Sequence, residues 1–442
     1  MHAASKSSCN ASFLPDLCRQ LGDAVVSRRE ILNQYSLGEL VPEAVVYPKS
    51  SPQVSAALQV ANAHRAPVLL WGSGASIRLG SRLSGLHIVV DMTSLDRVLS
   101  HDIDNFTVTV QAGMRLGQLQ EVLREHRQFL PLDPSAAERV TLGGIAAANV
   151  SGPWRLLFGS PRDLVLGMKV ALADGSIVSF GGSTMKNVAG YDIGKLFIGS
   201  LGTLGAICEL TLRLYSLPEE SRSLLLHVSG TKRAFGIARK ILACSPAAVQ
   251  ALDASAAKQV NDKIDLRSEE ESWLVAVDLM GDSAAVEKQA QEIEKSCGRE
   301  IVSLVGEERL QTWKLIRNLI GAEDESIILC RANLPPACIE EWAGIVREVS
   351  PDCLLVACPG TGRAWMRWRP QTQDAASEAI GVLRAEAVKL GGHLIVEAAP
   401  EEWRSGLDIW GQPPAELPLL RAVKQAFDPA GILAPGRFVG GI

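Results

Sequence analysis

Two kinds of residue in this chain are placed to do chemistry: glycines that bring main chain close to a ligand, and a few polar side chains towards the C-terminal end. Gly72-Ser73-Gly74-Ala75-Ser76-Ile77 follows the apolar run PVLLW, Gly143-Gly144 lies in TLGGIAAAN, and Gly199, Gly202 and Gly205 punctuate GSLGTLGAIC. Lacking a Cβ, such segments let amides wrap a phosphate or lie flat against a planar ring. Charge is sparse from Thr141 to Tyr215, so a ligand held there is gripped by backbone dipoles rather than ion pairs. Within MKNVAGYD, Lys186, Asn187, Tyr191 and Asp192 form a second polar cluster suited to orienting that ligand or facing a substrate. In RAWMRWRP, strand alternation puts Trp365, Arg367 and Arg369 on one face, where an arginine can clamp a carboxylate through paired hydrogen bonds. The same pattern also fits a solvent-facing strand edge. His393, after Gly391-Gly392, titrates near neutral pH and suits a proton acceptor, though a turn position explains it equally. Arg155 and Arg162-Asp163 fit a bracing role.

These residues need elements to hold them. VVYPKS, SPQVSAALQVANAHRA and PVLLW read as strand, helix and strand, the helix carrying Val54, Leu58 and Ala61 at helical spacing and starting at Ser51-Pro52. HIVVDM and FTVTVQAG are strand-like, and RLGQLQEVLREHR is a further helix. LVLGMKVALADGSIVSFGG predicts a hairpin turning at Asp174-Gly175, and ICELTLRLYSLP an alternating strand closed by Pro218. Beyond it, LLLHVSG, a helix near Thr231–Leu242, WLVAVDLMG and a helix near Ala284–Ser296 suggest a second α+β unit, with a charged loop over Asp262–Ser272. LPLLRAVKQAF predicts a late helix ended by Asp428-Pro429. The expected division is an N-terminal segment (1–37), a ligand-binding domain (38–218), an α+β cap (219–415) and a C-terminal segment (416–442).

Gly72-Ser73-Gly74 with Asp91 downstream resembles a dinucleotide-binding fingerprint, but its sixth position is Ile77 and no helical stripe follows. A nest of successive amides, with no crossover helix, fits the loop better.

Composition narrows the class. At 442 residues, 47% hydrophobic and 21% charged, the chain suits two globular units, and its net charge of -5 argues against a nucleic-acid partner. The apolar runs fall short of a membrane span and the N-terminus lacks a signal-like apolar core, so a cytoplasmic location is expected. Nine cysteines without a C-x-x-C and seven histidines without helical pairing predict reduced thiols and no metal or iron–sulfur site.

The phrases LPLDPSAAERVTLGGIAAANVSGP, FGSPRDLVLGMKVALADG, MKNVAGYD and GSLGTLGAICELTLRL, in that order, resemble the FAD-binding half of the p-cresol methylhydroxylase and vanillyl-alcohol oxidase superfamily. FDPAGILAPGRF is similar to its C-terminal signature, and MKNVAGYD, SGPWRLLFGSPRDLVLG and the late GGH look most like the FAD-binding subunit of bacterial glycolate oxidase. The resemblance implies an α+β fold: two α+β lobes around FAD, a cap, and a C-terminal helix returning to the flavin. It implies that Gly72–Ile77 take the pyrophosphate, that Pro134, Ser135, Gly143, Gly144, Asn149 and Gly152 line the isoalloxazine and ribityl chain, and that Gly202, Gly205 and Ile207 hold the adenine side. Lys186, Asn187, Tyr191, Asp192 and Arg437 join the cofactor set; apart from the resemblance, His393, Arg367 and Arg369 are the expected catalytic residues. Where many relatives carry a flavin-linking histidine, this chain has Ser73-Gly74-Ala75-Ser76, so dissociable FAD is expected. Ala434 replaces a usual asparagine, and paired metal-binding histidines are missing around His393. The implied activity is oxidation of glycolate or a similar small 2-hydroxy acid to the 2-oxo acid. The implied partners are a second FAD subunit and an iron–sulfur subunit, through which the chain meets a membrane peripherally. An electron-relay subunit without turnover and a stand-alone alcohol oxidase are the alternatives.

Overall fold

The computed structural model describes residues 13–182, 191–264, 272–297, 301–322 and 324–442, and every statement of absence below refers to these. The first lobe is built on a sheet ordered Val25–Val26, Ala44–Val46, Ile88–Asp91, Val68–Trp71. The last three strands are mutually parallel, as strands joined by crossovers must be. One crossover contains the helix Ser51–Ala63, whose Val54, Leu58 and Ala61 are fully buried against these strands. Ser51 does not cap that helix: it is the first helical residue, and its hydroxyl donates to Glu209 Oε1 at 3.2 Å. The other crossover, residues 72–87, contains no helix. The dinucleotide-fold reading therefore fails as anticipated, and Asp91 accepts hydrogen bonds from Tyr35 and Thr93.

The second lobe is an antiparallel sheet ordered Val98–Asp102, Thr107–Gln111, Ala206–Arg213, Val165–Ala171, Ile177–Gly181. Its last two strands form the expected hairpin, with Gly175 at φ 84° and Asp174 Oδ1 accepting from Ser176 N–H at 2.8 Å. Helix Leu142–Ala148, which the glycine reading did not anticipate, packs on this sheet.

The cap is an eight-stranded antiparallel sheet ordered Ile301–Leu304, Glu220–Ser229, Ser272–Gly281, Ala248–Leu252, Leu354–Cys358, Arg363–Trp368, Ile328–Asn333, His393–Ala398. One face of its last three strands carries Cys330, Ala332, Ala364, Met366, Leu394 and Val396 into a core shared with helices Thr231–Leu242, Ile339–Val349 and Gln373–Lys389. The alternate positions face the first two lobes. Helix Leu417–Phe427 then returns to the second lobe, where Phe427 meets Phe197 edge to face at 5.3 Å. The residues after it pair with the first lobe: Val68 N–H donates to Ile432 O and Ala434 N–H to Val68 O, both at 2.8 Å.

A buried polar network joins cap to lobes. Asp278, fully buried, accepts two bonds from Arg309 (2.7 and 2.6 Å), one from Ser223 Oγ (2.9 Å) and one from Trp154 Nε1 (2.9 Å) across the boundary. With every oxygen lone pair engaged, this carboxylate tolerates burial only while its cation is present. Arg309→Met is expected to cost about 3 kcal/mol, read as a lower urea midpoint; an unchanged midpoint counts against this account.

Candidate functional site

A continuous channel runs between the lobes and under the cap. Its inner end is lined by Met92, Ala112, Gly143, Gly202, Gly205 and Ile207. Its middle is lined by Gly72–Ile77, Pro134, Ser135, Thr141, Gly144 and Ala147. Its outer end passes Ala148, Asn149 and Ser151 and opens on Arg331, Arg363, Trp365 and Glu397 of the cap. The segments share Gly72, Thr141, Gly144 and Ala147 at one junction and Ala75, Ser76, Ser135 and Ala148 at the other.

The walls are close because two glycines let them be. A Cβ on Gly72 stands 2.3 Å from Thr141 Oγ1, and one on Gly152 stands 1.8 Å from the carbonyl oxygen of Asp133. Gly152 thus holds the turn that presents Pro134 and Ser135 and does not itself line the channel. Asn149 ends helix Leu142–Ala148 in the left-handed conformation, φ 50°. Its Oδ1 and the hydroxyl of Thr141 are buried without a protein partner, although both residues line the channel. Orphaned polar atoms in such a wall are what a polar ligand leaves when only the protein is considered.

The loop 72–81 is braced from outside. Arg437, 4% exposed, donates to Ser76 O and Ile77 O at 3.3 and 2.7 Å, and Arg404 donates to Arg78 O and Gly80 O. Arg78 lines the outer segment but spends its guanidinium on the cap, donating to Ala322 O (2.7 Å), Asp324 O (2.6 Å) and Ala399 O (2.7 Å). It therefore acts as a strut between loop and cap. Arg437 lines the middle segment. Burial, with Arg404 nearby, pushes the Arg437 guanidinium down to about 10, which keeps it cationic at neutral pH.

At the outer end, three cap strands converge. Asn333 lies opposite both Arg363 and His393, and Arg331 opposite both Trp365 and Ile395, so these side chains share the face turned to the channel. Arg331 donates through Nε to Glu397 Oε1 at 2.5 Å and through one terminal nitrogen to Asn333 Oδ1 at 2.9 Å. Trp365 Nε1 donates to Glu397 Oε2 at 3.2 Å, and Asn333 Nδ2 to His393 Nε2 at 3.0 Å. Arg363 donates to Ser151 Oγ at 3.1 Å, as does Arg155 at 3.3 Å, which places Arg155 at the cleft rather than in a distant brace. Burial, then the neighbouring Arg331 and Arg155, push Arg363 down to about 9. Burial and the same cap arginines, Arg331 and Arg363, hold His393 below the usual histidine value.

The remaining sequence candidates fall elsewhere. Arg367 donates to Leu319 O and lies 3.6 Å from Asp324, and Arg369 also pairs with Asp324, so that carboxylate, not the channel, holds both. Tyr191 is 97% exposed and Asp192 lies 3.9 Å from Lys195; neither lines the channel. Lys186 and Asn187 lie outside the described residues. Arg331, Arg363 and Glu397 escaped notice because the register of three strands far apart in sequence brings them together; the alternation in RAWMRW singled out Arg367, which Asp324 holds, and passed over Arg363, which lines the cleft.

A channel of glycine and small side chains with unpaired polar atoms, closed by a polar cap, suits an extended, flat cofactor, and two family models make the chain an FAD-linked oxidoreductase. Residues 42–181 match the FAD binding domain, and residues 217–330 and 411–438 match the C-terminal domain of FAD linked oxidases. FAD is the cofactor, and the close glycine walls and the orphaned atoms of Thr141 and Asn149 fit it. The fold is that of the p-cresol methylhydroxylase and vanillyl-alcohol oxidase type. It superposes on p-cresol methylhydroxylase with a TM-score of 0.75 at 15% identity, covering 96% of each chain, and on 4-ethylphenol oxidase from Gulosibacter chungangensis with a TM-score of 0.72 at 16% identity, covering 98% and 97%. In sequence the chain is similar to the glycolate oxidase subunit GlcD of Bacillus subtilis (strain 168), 27% identical over 418 residues, 90% of this chain and 89% of that protein. It is similar to the D-lactate dehydrogenase of Archaeoglobus fulgidus, 29% identical over 412 residues, 89% and 91% of the two chains. Over 166 residues it is 33% identical to the glycolate oxidase subunit GlcE of Escherichia coli (strain K12), 37% and 47% of the two.

Gly72→Val is expected to weaken FAD binding by at least about a hundredfold, since the new side chain must displace Thr141 from the wall. Fluorescence titration of the apoprotein with FAD checks this. Retention of FAD at native affinity would place the cofactor elsewhere.

Proposed function

We propose that this chain oxidises glycolate or a similar small 2-hydroxy acid to the 2-oxo acid. The observation that carries the reading is the cation cluster at the channel's outer end: Arg363, with Arg331 and Arg155 beside it, facing the end of the cofactor channel. A carboxylate docking on a half-buried guanidinium gains charge-assisted hydrogen bonds in a site with little competing water. Arg363 binds that carboxylate and so orients the neighbouring hydroxyl-bearing carbon toward the channel. Ser151, held by both Arg363 and Arg155, fixes the guanidinium against the second lobe. His393, on the same sheet face but exposed and outside the lining residues, serves as the proton acceptor for the substrate hydroxyl. Its depressed pKa keeps the ring neutral at neutral pH, and the lone pair on Nε2, which accepts from Asn333, is the one the substrate hydroxyl must take over. Bound FAD supplies the two-electron acceptor that converts the alcohol carbon to a carbonyl. Arg367 and Arg369, held by Asp324, stabilise the cap segment beside the cleft.

FAD is held without a covalent bond in this reading. The described channel lining contains no histidine, cysteine or tyrosine to form one. The two relatives called glycolate oxidase subunits support a place in a multi-subunit complex; its other members in this reading are a second FAD chain and an iron–sulfur chain. No described helix is long and apolar enough to cross a membrane.

The test is the visible spectrum of the FAD-loaded chain before and after anaerobic addition of glycolate or D-lactate. Bleaching is expected, and an unbleached spectrum with both acids leaves an electron-relay subunit as the better reading. Arg363→Ala is expected to raise the apparent KM about a hundredfold or more while FAD is retained.

A further inference from the structure

Glu397 has no part in the proposed reaction, yet it stands in the cleft beside the groups that do. Its residue lines the outer channel, and both carboxylate oxygens are taken, Oε1 by Arg331 and Oε2 by Trp365. The ion pair is sheltered, its two side chains about one-fifth exposed, so solvent screens it little. The charges of the cleft can then be counted. Arg331 is balanced by Glu397. Arg155 has Asp163 as its principal neighbouring anion. Arg78, which also lines this segment, spends its guanidinium on carbonyls of the cap and has Glu325, Asp324 and Glu401 as neighbouring anions. Arg363, whose bonded neighbour is the Ser151 hydroxyl, has no carboxylate in hydrogen-bonding contact among the described residues. One positive charge is left over, and one anionic group on a ligand satisfies it.

A ligand with a second carboxylate meets a different situation. Arg331 already spends Nε on Glu397 and a terminal nitrogen on Asn333, and a second anion beside it faces the Glu397 carboxylate at short range in a partly dry cleft. Selectivity of this kind comes from a repulsive charge built against the wrong ligand, not from an extra contact to the right one. We infer that Glu397 is the specificity-determining residue of the cleft, restricting it to hydroxy acids with a single carboxylate. The inference rests on the reading of Arg363 as the carboxylate-binding residue. Replacing Glu397 with an uncharged residue frees Arg331 to take a second carboxylate, which converts a monocarboxylate site into one open to hydroxy diacids.

Two unreactive probes of nearly equal size separate charge from bulk: succinamate, with one carboxylate and one amide, and succinate, with two carboxylates. Their dissociation constants are measured on the FAD-loaded full chain from the perturbation of visible flavin absorption and from thermal shift, at fixed ionic strength. The native chain should bind succinamate at least about tenfold more tightly than succinate, and Glu397→Gln should bring the two within about threefold. Trp365→Phe, which removes one hydrogen bond to Glu397 but no charge, should retain the preference. Equal affinity of the native chain for both probes overturns the inference, as does an undiminished preference in E397Q. If E397Q fails to retain FAD, the native comparison decides alone. Should neither probe bind a native chain that holds FAD, the carboxylate-binding role of Arg363 falls, and the inference with it. Loss of succinamate binding in R363A, combined with equal native affinities, leaves the proposed function standing and rejects only the role of Glu397.

Discussion

A parallel pair of strands joined by a loop instead of a helix needs support from outside the loop, and much of this molecule is arranged to give it. Residues 72–87 connect Val68–Trp71 to Ile88–Asp91 without regular structure, so their carbonyls have few partners within the segment. Arginines supply them. Arg437 and Arg404 reach in to the loop carbonyls, and Arg78 reaches out to those of the cap. The exchange is reciprocal, so loop and cap each depend on the other for shape. The channel lies against this loop, which makes the geometry of the cofactor site a property of the whole chain rather than of its first lobes.

The cap sheet divides its labour by face. Along Ile328–Asn333, Arg363–Trp368 and His393–Ala398, alternate residues enter an apolar core that binds the covering helices, while the others carry the polar groups of the cleft. The polar side chains of the cleft are thus mounted on a sheet whose reverse side is densely packed, a rigid platform for them. The Asp278 network performs a related task at the opposite boundary, fixing Trp154, one residue before Arg155, to the centre of the sheet.

The sequence disclosed backbone chemistry better than side-chain chemistry. Glycine spacing and the missing crossover helix pointed to a backbone cradle at Gly72–Ile77, and the hairpin at Asp174-Gly175 followed from its turn residues, because such signals are local. Helix Leu142–Ala148 was not foreseen: two glycines argue against helix by propensity, and only packing of Gly143 against Ala112 shows why they are there. Arg331 and Glu397 are separated by 66 residues and meet only because two antiparallel strands align them. No periodicity within either segment carries that information. The choice between Arg363 and Arg367 likewise turned on Asp324, whose position beside the strand is set by tertiary structure.

The pairing of Val68 with residues 432–434, and of Arg437 with the loop, has a consequence for the chain during its synthesis. The first two lobes are complete in sequence long before residues 432–437 leave the ribosome, yet the edge of their sheet and the support of their ligand loop wait for those residues. The wall of the cofactor channel is thereby completed last on the ribosome's timetable.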